Sequence, residues 1–368
     1  MGSAPPREEL RGRLERFRAV LARKRLSGAV ITDGMNVRYL SGFTGDDSAL
    51  LVTASQRLLL TDFRYVEEAQ RTAPGWRIVT KPAELMEKSG VHARKLRVRR
   101  LGVESNQLSL NGAARLRKAA RGIQVRPHPN LVEELRLIKS PWELRLIEAA
   151  LRIQEQAFLE VCRWLKPGIR EREAAAELRY RMVRMGAGDQ AFDCMCQWGS
   201  HSSLPHGRPT DRKLRAESVL LIDWGAQLGG YHADLTRTFF LGTISPRLRR
   251  IHEIVAQAQA LAIAKIAPGI AFAEVDKAAR RHIRRAGFGR YFGHSTGHGL
   301  GLRIHEAPRL SSLARGELKP GMVVTVEPGI YLPGVGGVRI EDDVLVTARG
   351  HRKLSRLPVG LRWNGGNE

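Results

Sequence analysis

Three histidines, His294, His298 and His305, crowd into the stretch Gly293–Glu306, GHSTGHGLGLRIHE, with mostly small or apolar residues between them. A solvated face has no reason to look like this, and a buried core would avoid so many imidazoles. Imidazoles in such a setting serve as metal ligands or as proton donors and acceptors. Acidic residues elsewhere supply a complement. Ser218–Phe240, SVLLIDWGAQLGGYHADLTRTFF, has two apolar, β-branched or aromatic runs around Gly229-Gly230, a hairpin signal. A turn centred on Leu228-Gly229 sets Asp223 directly opposite Asp234, with Cβ atoms about 4.5–5.5 Å apart on one face. Two carboxylates that close repel unless one is protonated or a cation lies between them. Taken alone, this hairpin leaves a register slip, with one acid in solvent, equally open.

The construction occurs a second time. Met322–Tyr331, MVVTVEPGIY, leads through LPGVGG into Val338–Val346, VRIEDDVLV, and a turn at Gly334 sets Glu327 opposite Glu341. Each acid sits in an apolar strand, where an unpaired charge is costly, so the repetition points to a cation site. Four carboxylates and one histidine suit two divalent metal ions. Their oxygen-rich, thiol-free donor set favours Mn²⁺, with Co²⁺ or Zn²⁺ as alternatives. Trp224, beside one of the acids, should point to the opposite face by strand alternation and pack in the core.

These side chains need elements to hold them. From about residue 8 to 130 helix-like and strand-like pieces alternate, as in an α/β domain. Leu10, Leu14, Phe17, Val20 and Leu21 follow helical spacing, and Gly28 stops that helix before Ala29-Val30-Ile31. Short strands are expected at Ala49–Thr53 and Arg57–Thr61, a helix from near Asp62, and a further strand and helix at Arg77–Thr80 and Pro82–Lys95. Pro127 and Pro129 punctuate the end. From Leu131 the texture changes. Ser140-Pro141 reads as a helix cap, with proline at the first helical position, and opens a long amphipathic helix to about Leu165. Further helices are expected over Glu171–Met185, Pro246–Ile266 and Phe272–Ala286.

The chain has 368 residues, 43% hydrophobic and 27% charged, enough for two ordinary domains. No apolar run reaches the 18 or so residues of a membrane span. The start lacks the apolar core of a secretory signal, and Pro6 spoils an N-myristoylation pattern. Three cysteines, Cys162, Cys194 and Cys196, argue against a disulfide framework and for the cytoplasm. The 61 basic and 37 acidic residues give a net charge of +24, a balance that can signal nucleic-acid binding. The densest run is Arg94–Arg100, but basic residues are otherwise scattered over amphipathic helices without interleaved aromatics. Solvated helix faces are the favoured reading.

Together these stretches resemble the pita-bread metallopeptidases, within them the branch of aminopeptidase P and prolidase. The resemblance covers nearly the whole chain. Its motifs are Asn36–Gly45 (NVRYLSGFTG), Thr61–Tyr65 (TDFRY), Pro205-His206, Asp223-Trp-Gly-Ala, Asp234-Leu-Thr-Arg-Thr, His294-Ser-Thr-Gly-His298-Gly, His305-Glu306, Glu327-Pro-Gly-Ile-Tyr and Gly337-Val-Arg-Ile-Glu341-Asp. It implies an α+β fold, with a pita-bread (creatinase/aminopeptidase) catalytic domain over 131–362 after a smaller α/β creatinase-like domain over 8–130. Carried over by position, Asp223, Asp234, His298, Glu327 and Glu341 become the metal ligands, Asp234 and Glu341 bridging both ions. Glu327 would also move the proton of the attacking water, and His206, His294 and His305 would face a proline-containing peptide. Arg339 would steady the bridging end of the site or meet a substrate carboxylate; an ion pair with Asp342 or Asp343 is nearly as well supported. A homodimer is implied too.

The segment before Pro205 departs from the family pattern. Trp198 and His201 stand where smaller residues and an amide are usual, which bears on the shape of the substrate pocket. Three rivals remain at this level: a methionine aminopeptidase, a metal-free creatinase-like hydrolase, and a non-catalytic nucleic-acid- or ribosome-binding relative.

Overall fold

The computed structural model describes residues 4–80, 84–243 and 245–360. The Pro82 start of one expected helix and the last two residues of the 131–362 span lie outside these residues. The chain divides into two compact units, one ending at Arg136 and the other beginning at Leu137.

In the first unit six strands form one sheet, in the order Arg77–Thr80, Arg57–Thr61, Ala49–Thr53, Gly28–Ile31, Arg100–Glu104, Gln124–His128. Gly28–Ile31 runs parallel to Arg100–Glu104 and antiparallel to Ala49–Thr53. The central strands are buried along their length, as continuous apolar runs demand. The helix expected from Asp62 starts differently. The Asp62 carboxylate accepts the Arg64 N–H at 2.9 Å and caps a 3₁₀ turn, Phe63–Tyr65, before an α-helix over Val66–Thr72. The short helix Gly34–Ser41, capped by Asp33, has too little apolar spacing to read from sequence.

The second unit opens on the helix Pro141–Trp164. Ser140 and Glu143 close a capping box at its start, each side chain accepting the other's backbone N–H. This helix backs the antiparallel sheet of Leu235–Leu241, Ser218–Trp224 and Met195–Trp198. Trp224 is fully buried, stacks on Phe158 at 4.3 Å between ring centroids and donates its indole N–H to Gln154 O. A second sheet orders Glu306–Leu310, Gly297–Gly299, Val323–Val326, Asp342–Val346 and His351–Lys353. The helices Pro246–Ala264 and Phe272–Arg285 share its apolar core through Val255, Ala262, Val275 and Ile283.

The first hairpin corrects the register read from sequence. Gly229 and Gly230 both have positive φ, +58° and +84°, so they form the two central turn residues. The ladder therefore pairs Leu228 with Tyr231, Trp224 with Leu235 and Asp223 with Thr236. Asp223 is not opposite Asp234. It is diagonal to it, two places along the strand, which preserves the shared face. In the second hairpin Val326 pairs with Asp342 and Gly329 with Arg339. The same register sets Glu327 across from Glu341 where the ladder changes sheets.

Candidate metal centre and active site

The two hairpins are joined at their acidic faces. Thr236, paired with Asp223, donates its hydroxyl to Glu341 Oε2 at 2.6 Å, and the Glu341 N–H donates to Thr236 O at 3.1 Å. The N–H of Asp234 donates to Asp343 Oδ2 at 3.1 Å. One ligand atom from each of Asp234, His298 and Glu341 lies within 4.8 Å of the others. Glu327 Oε1 approaches His298 Nε2 at 3.5 Å, and Asp234 Oδ2 approaches it at 3.7 Å. Asp223 lies outside the tightest cluster, with its Oδ2 accepting from Arg339 Nη2 at 2.6 Å.

His298 provides the test of whether a cation fits. Its Nδ1 lies 3.0 Å from Gly299 O, which can only accept, so Nδ1 carries the ring proton. Burial, and next His305, push its pKa down to about 4, so near neutral pH the ring is uncharged. Its Nε2 lone pair then confronts two carboxyl groups, a repulsive arrangement unless one of them is protonated or a cation lies between. A ring proton spent on a backbone carbonyl is also how metal-ligating histidines are oriented. Burial is the first cause that raises the carboxyl pKa values of Asp223, Asp234, Glu327 and Glu341. Glu327 reaches about 7, while for Asp234 the neighbouring Glu341 and Asp223 add to the rise. Asp223 Oδ1 and Asp234 Oδ1 are buried without a hydrogen-bond partner. Oxygen donors with one imidazole suit a divalent ion. The residues fit.

A cavity of about 640 Å³ opens on this cluster. His206, His294, His298 and His305 line it, with Tyr331, Arg339 and the four acids. His305 packs edge-on against His298 at 4.4 Å between ring centroids. His294 lines the cavity, and both of its ring nitrogens are engaged. Nδ1 donates to Ser295 O at 2.8 Å, and Nε2 accepts from the Tyr331 hydroxyl at 2.9 Å. Burial holds its pKa down at about 4.

Arg339 makes neither of its alternative ion pairs. Asp342, on the opposite face by strand alternation, is taken by Arg237, whose Nη2 lies 2.6 Å from its Oδ1. Arg339 instead donates to Asp223, to Thr236 Oγ1 (3.0 Å), to the Tyr331 hydroxyl (2.9 Å) and to Pro205 O (3.1 Å). Trp198 and His201 do not line the cavity: Trp198 is buried, and His201 Nδ1 lies 2.8 Å from the Glu171 carboxylate. Sequence reasoning passed over Thr236, Arg237 and Tyr331. Their motif positions were visible, in DLTRT and EPGIY, but their partners come from strands distant in sequence.

Residues 145–348 match metallopeptidase family M24, and residues 13–138 match the creatinase/prolidase N-terminal domain. An uncharacterised peptidase of Bacillus subtilis is 40% identical over 349 residues, 95% of this chain and 99% of its own. A Xaa-Pro dipeptidase from Bacillus anthracis has a similar structure, with TM-score 0.92 and 36% identity over 96% of this chain and 99% of that one. An X-Pro aminopeptidase from Thermotoga maritima is similar at TM-score 0.86 and 34% identity, covering 94% and 98%.

Proposed function

The chain belongs to metallopeptidase family M24 and has the two-domain creatinase/prolidase fold, and on that premise we propose that it hydrolyses the bond between an N-terminal residue and a following proline. The observation that carries this is the His298 lone pair set among Asp234, Glu327 and Glu341. Asp223, Asp234, His298, Glu327 and Glu341 would hold two divalent ions, Mn²⁺ by preference. When bound, the ions supply a water acidic enough to act near neutral pH and polarise the scissile carbonyl. The catalytic domain is taken as 131–362 and the creatinase-like domain as 8–130.

Glu327, on the cavity wall, takes a proton from the attacking water and returns it to the leaving nitrogen. That nitrogen carries no hydrogen of its own when proline follows the cleaved bond, so delivery of a proton is what releases it. His305 and His206, both on the cavity wall, offer N–H donors to the carbonyl oxygen as it gains charge, an effect worth about 2.7–4 kcal/mol for a well-placed donor. Arg339 holds Asp223 and Tyr331 together, and Tyr331 fixes the ring of His294. By the same family reading the enzyme is a homodimer, and the sparse, odd set of cysteines supports the cytoplasm. None of the three cysteines forms a disulfide.

The B. anthracis and T. maritima proteins carry dipeptidase and aminopeptidase names respectively. The Thr61–Tyr65 and Gly42–Gly45 wording inclines this chain to the aminopeptidase P side. Hydrolysis of Ala-Pro and Ala-Pro-Ala, with Mn²⁺ and with chelator, tests both levels. We expect metal-dependent release of alanine, from the tripeptide as well as the dipeptide. Release of methionine from Met-Ala-Ser with both proline peptides intact would overturn the reading in favour of a methionine aminopeptidase.

A further inference from the structure

We propose that Glu171 is a positioning residue for His206: one buried carboxylate ties down both ends of the strap Trp198–Thr210 that delivers this histidine to the cavity. The inference rests on the peptidase reading for its activity assay, though not for its geometry. The strap has no ladder of its own beyond Trp198, only a 3₁₀ turn over Gly199–Ser203. A histidine carried by such a segment keeps its place only if side chains anchor the backbone around it.

Glu171 opens the helix Glu171–Arg184 and is fully buried. Its Oε1 accepts the Trp198 N–H at 2.8 Å and meets His201 Nδ1 at 2.8 Å. Its Oε2 accepts the Thr210 N–H at 2.9 Å and the Thr210 hydroxyl at 2.6 Å. The two oxygens thus hold the strap's beginning and end. Hydrogen bonds to a charged acceptor are stronger than neutral ones, and a buried carboxylate requires such a set. Between the two ends, Gln197 Nε2 donates to His201 O and Leu204 O, the Ser202 hydroxyl accepts the Gly337 N–H, and Arg339 donates to Pro205 O. His201 thereby acquires a purpose: it is part of the anchor, away from the cavity wall.

Glu171 does not line the cavity, so its effect must pass through His206. A misplacement of about 1 Å can cost about 100-fold in rate. Glu171→Gln keeps the shape while removing the charge and one acceptor. We expect kcat on Ala-Pro to fall by about 10- to 100-fold, with KM within about twofold, and the His206 ring resonance of the metal-free protein to shift or broaden. In a His206→Ala background the same substitution should cost less than about twofold, because the group it positions is gone. An equal loss in both backgrounds, or an unchanged His206 resonance in a folded Glu171→Gln protein, overturns the proposal. Should Glu171→Gln fail to fold, Thr210→Val and His201→Ala, each removing one donor, are read in the same cycle with the same criteria. A wild-type protein inactive on proline peptides would sink the peptidase reading instead, leaving the resonance experiment to decide this one.

Discussion

His298 is controlled from the side that does no chemistry: Gly299 O takes the Nδ1 proton, and what is left is a lone pair facing acids. Glu327 plays the opposite part, a carboxylate that burial brings to a pKa of about 7. Replacing it by glutamine should lower kcat by about 10²–10⁴-fold in a folded protein, the usual range for a lost general base; full activity would remove it from the proton path. Arg339 offers a stability test. Arg339→Met leaves the buried Asp223 carboxylate without its 2.6 Å partner, which should cost about 3–5 kcal/mol in urea unfolding of the metal-free protein. A loss below about 1 kcal/mol would show that the pair is dispensable. The acids and histidines of this centre were legible because their types are rare in apolar strands. The partner of Arg339 was not, because side-chain alternation alone left Asp343 open and only the fold brings Asp223 near.

The strands act as spacers that convert sequence distance into shared faces. Both carboxylate pairs emerged from hairpin logic, but the first register depended on which two residues make the turn. Gly229 and Gly230, both at positive φ, move the centre by one residue, a choice that the flanking apolar pattern does not reveal because parity is unchanged. The strand Gly297–Gly299 carries His298 between two close neighbours: a Cβ on Gly297 would lie 1.9 Å from Thr325 O, and one on Gly299 2.2 Å from Ala307 O. Gly297→Ala should therefore destabilise the protein by about 1–3 kcal/mol and weaken Mn²⁺ binding by displacing His298. Gly293→Ala, with nothing within 4 Å of the added carbon, should stay within about 0.5 kcal/mol in the same unfolding assay. Equal effects would mean that this close packing does not set the histidine. The long helices were legible from apolar spacing and, for Pro141–Trp164, from its Ser-Pro cap. The anchor at Glu171 was not, since two of its partners are backbone N–H groups that leave no mark on the sequence.

Across the whole molecule the +24 charge stands against a cavity lined by Asp193, Asp223, Asp234, Glu306, Glu327 and Glu341 but only three arginines. The basic surplus is not concentrated at the site, which speaks for a cation there and against a polyanion. This acidity predicts the pH response of the metal-free chain. His294 and His298 have folded pKa values of about 4, below the ordinary 6.5, so they add stability as pH rises toward 6.5. The four buried carboxyls have raised folded values, so the folded state binds more protons and stability is lost as pH climbs through them. Below about pH 6.5 the two sets oppose each other; above it only the carboxyls remain. The stability of the metal-free protein, followed by its melting temperature, should therefore fall between about pH 6.5 and 8, with a slope of up to roughly 1.4 kcal/mol per pH unit for each carboxyl that titrates there. A flat or rising curve there would contradict this. Whether the two β-ribbons cage a cation centre is decided by metal stoichiometry after equilibrium dialysis against Mn²⁺. Two ions per chain, lost in a folded Asp234→Asn/Glu341→Gln protein, is the predicted result; wild-type protein that retains no Mn²⁺, or a double variant that retains both ions, contradicts it.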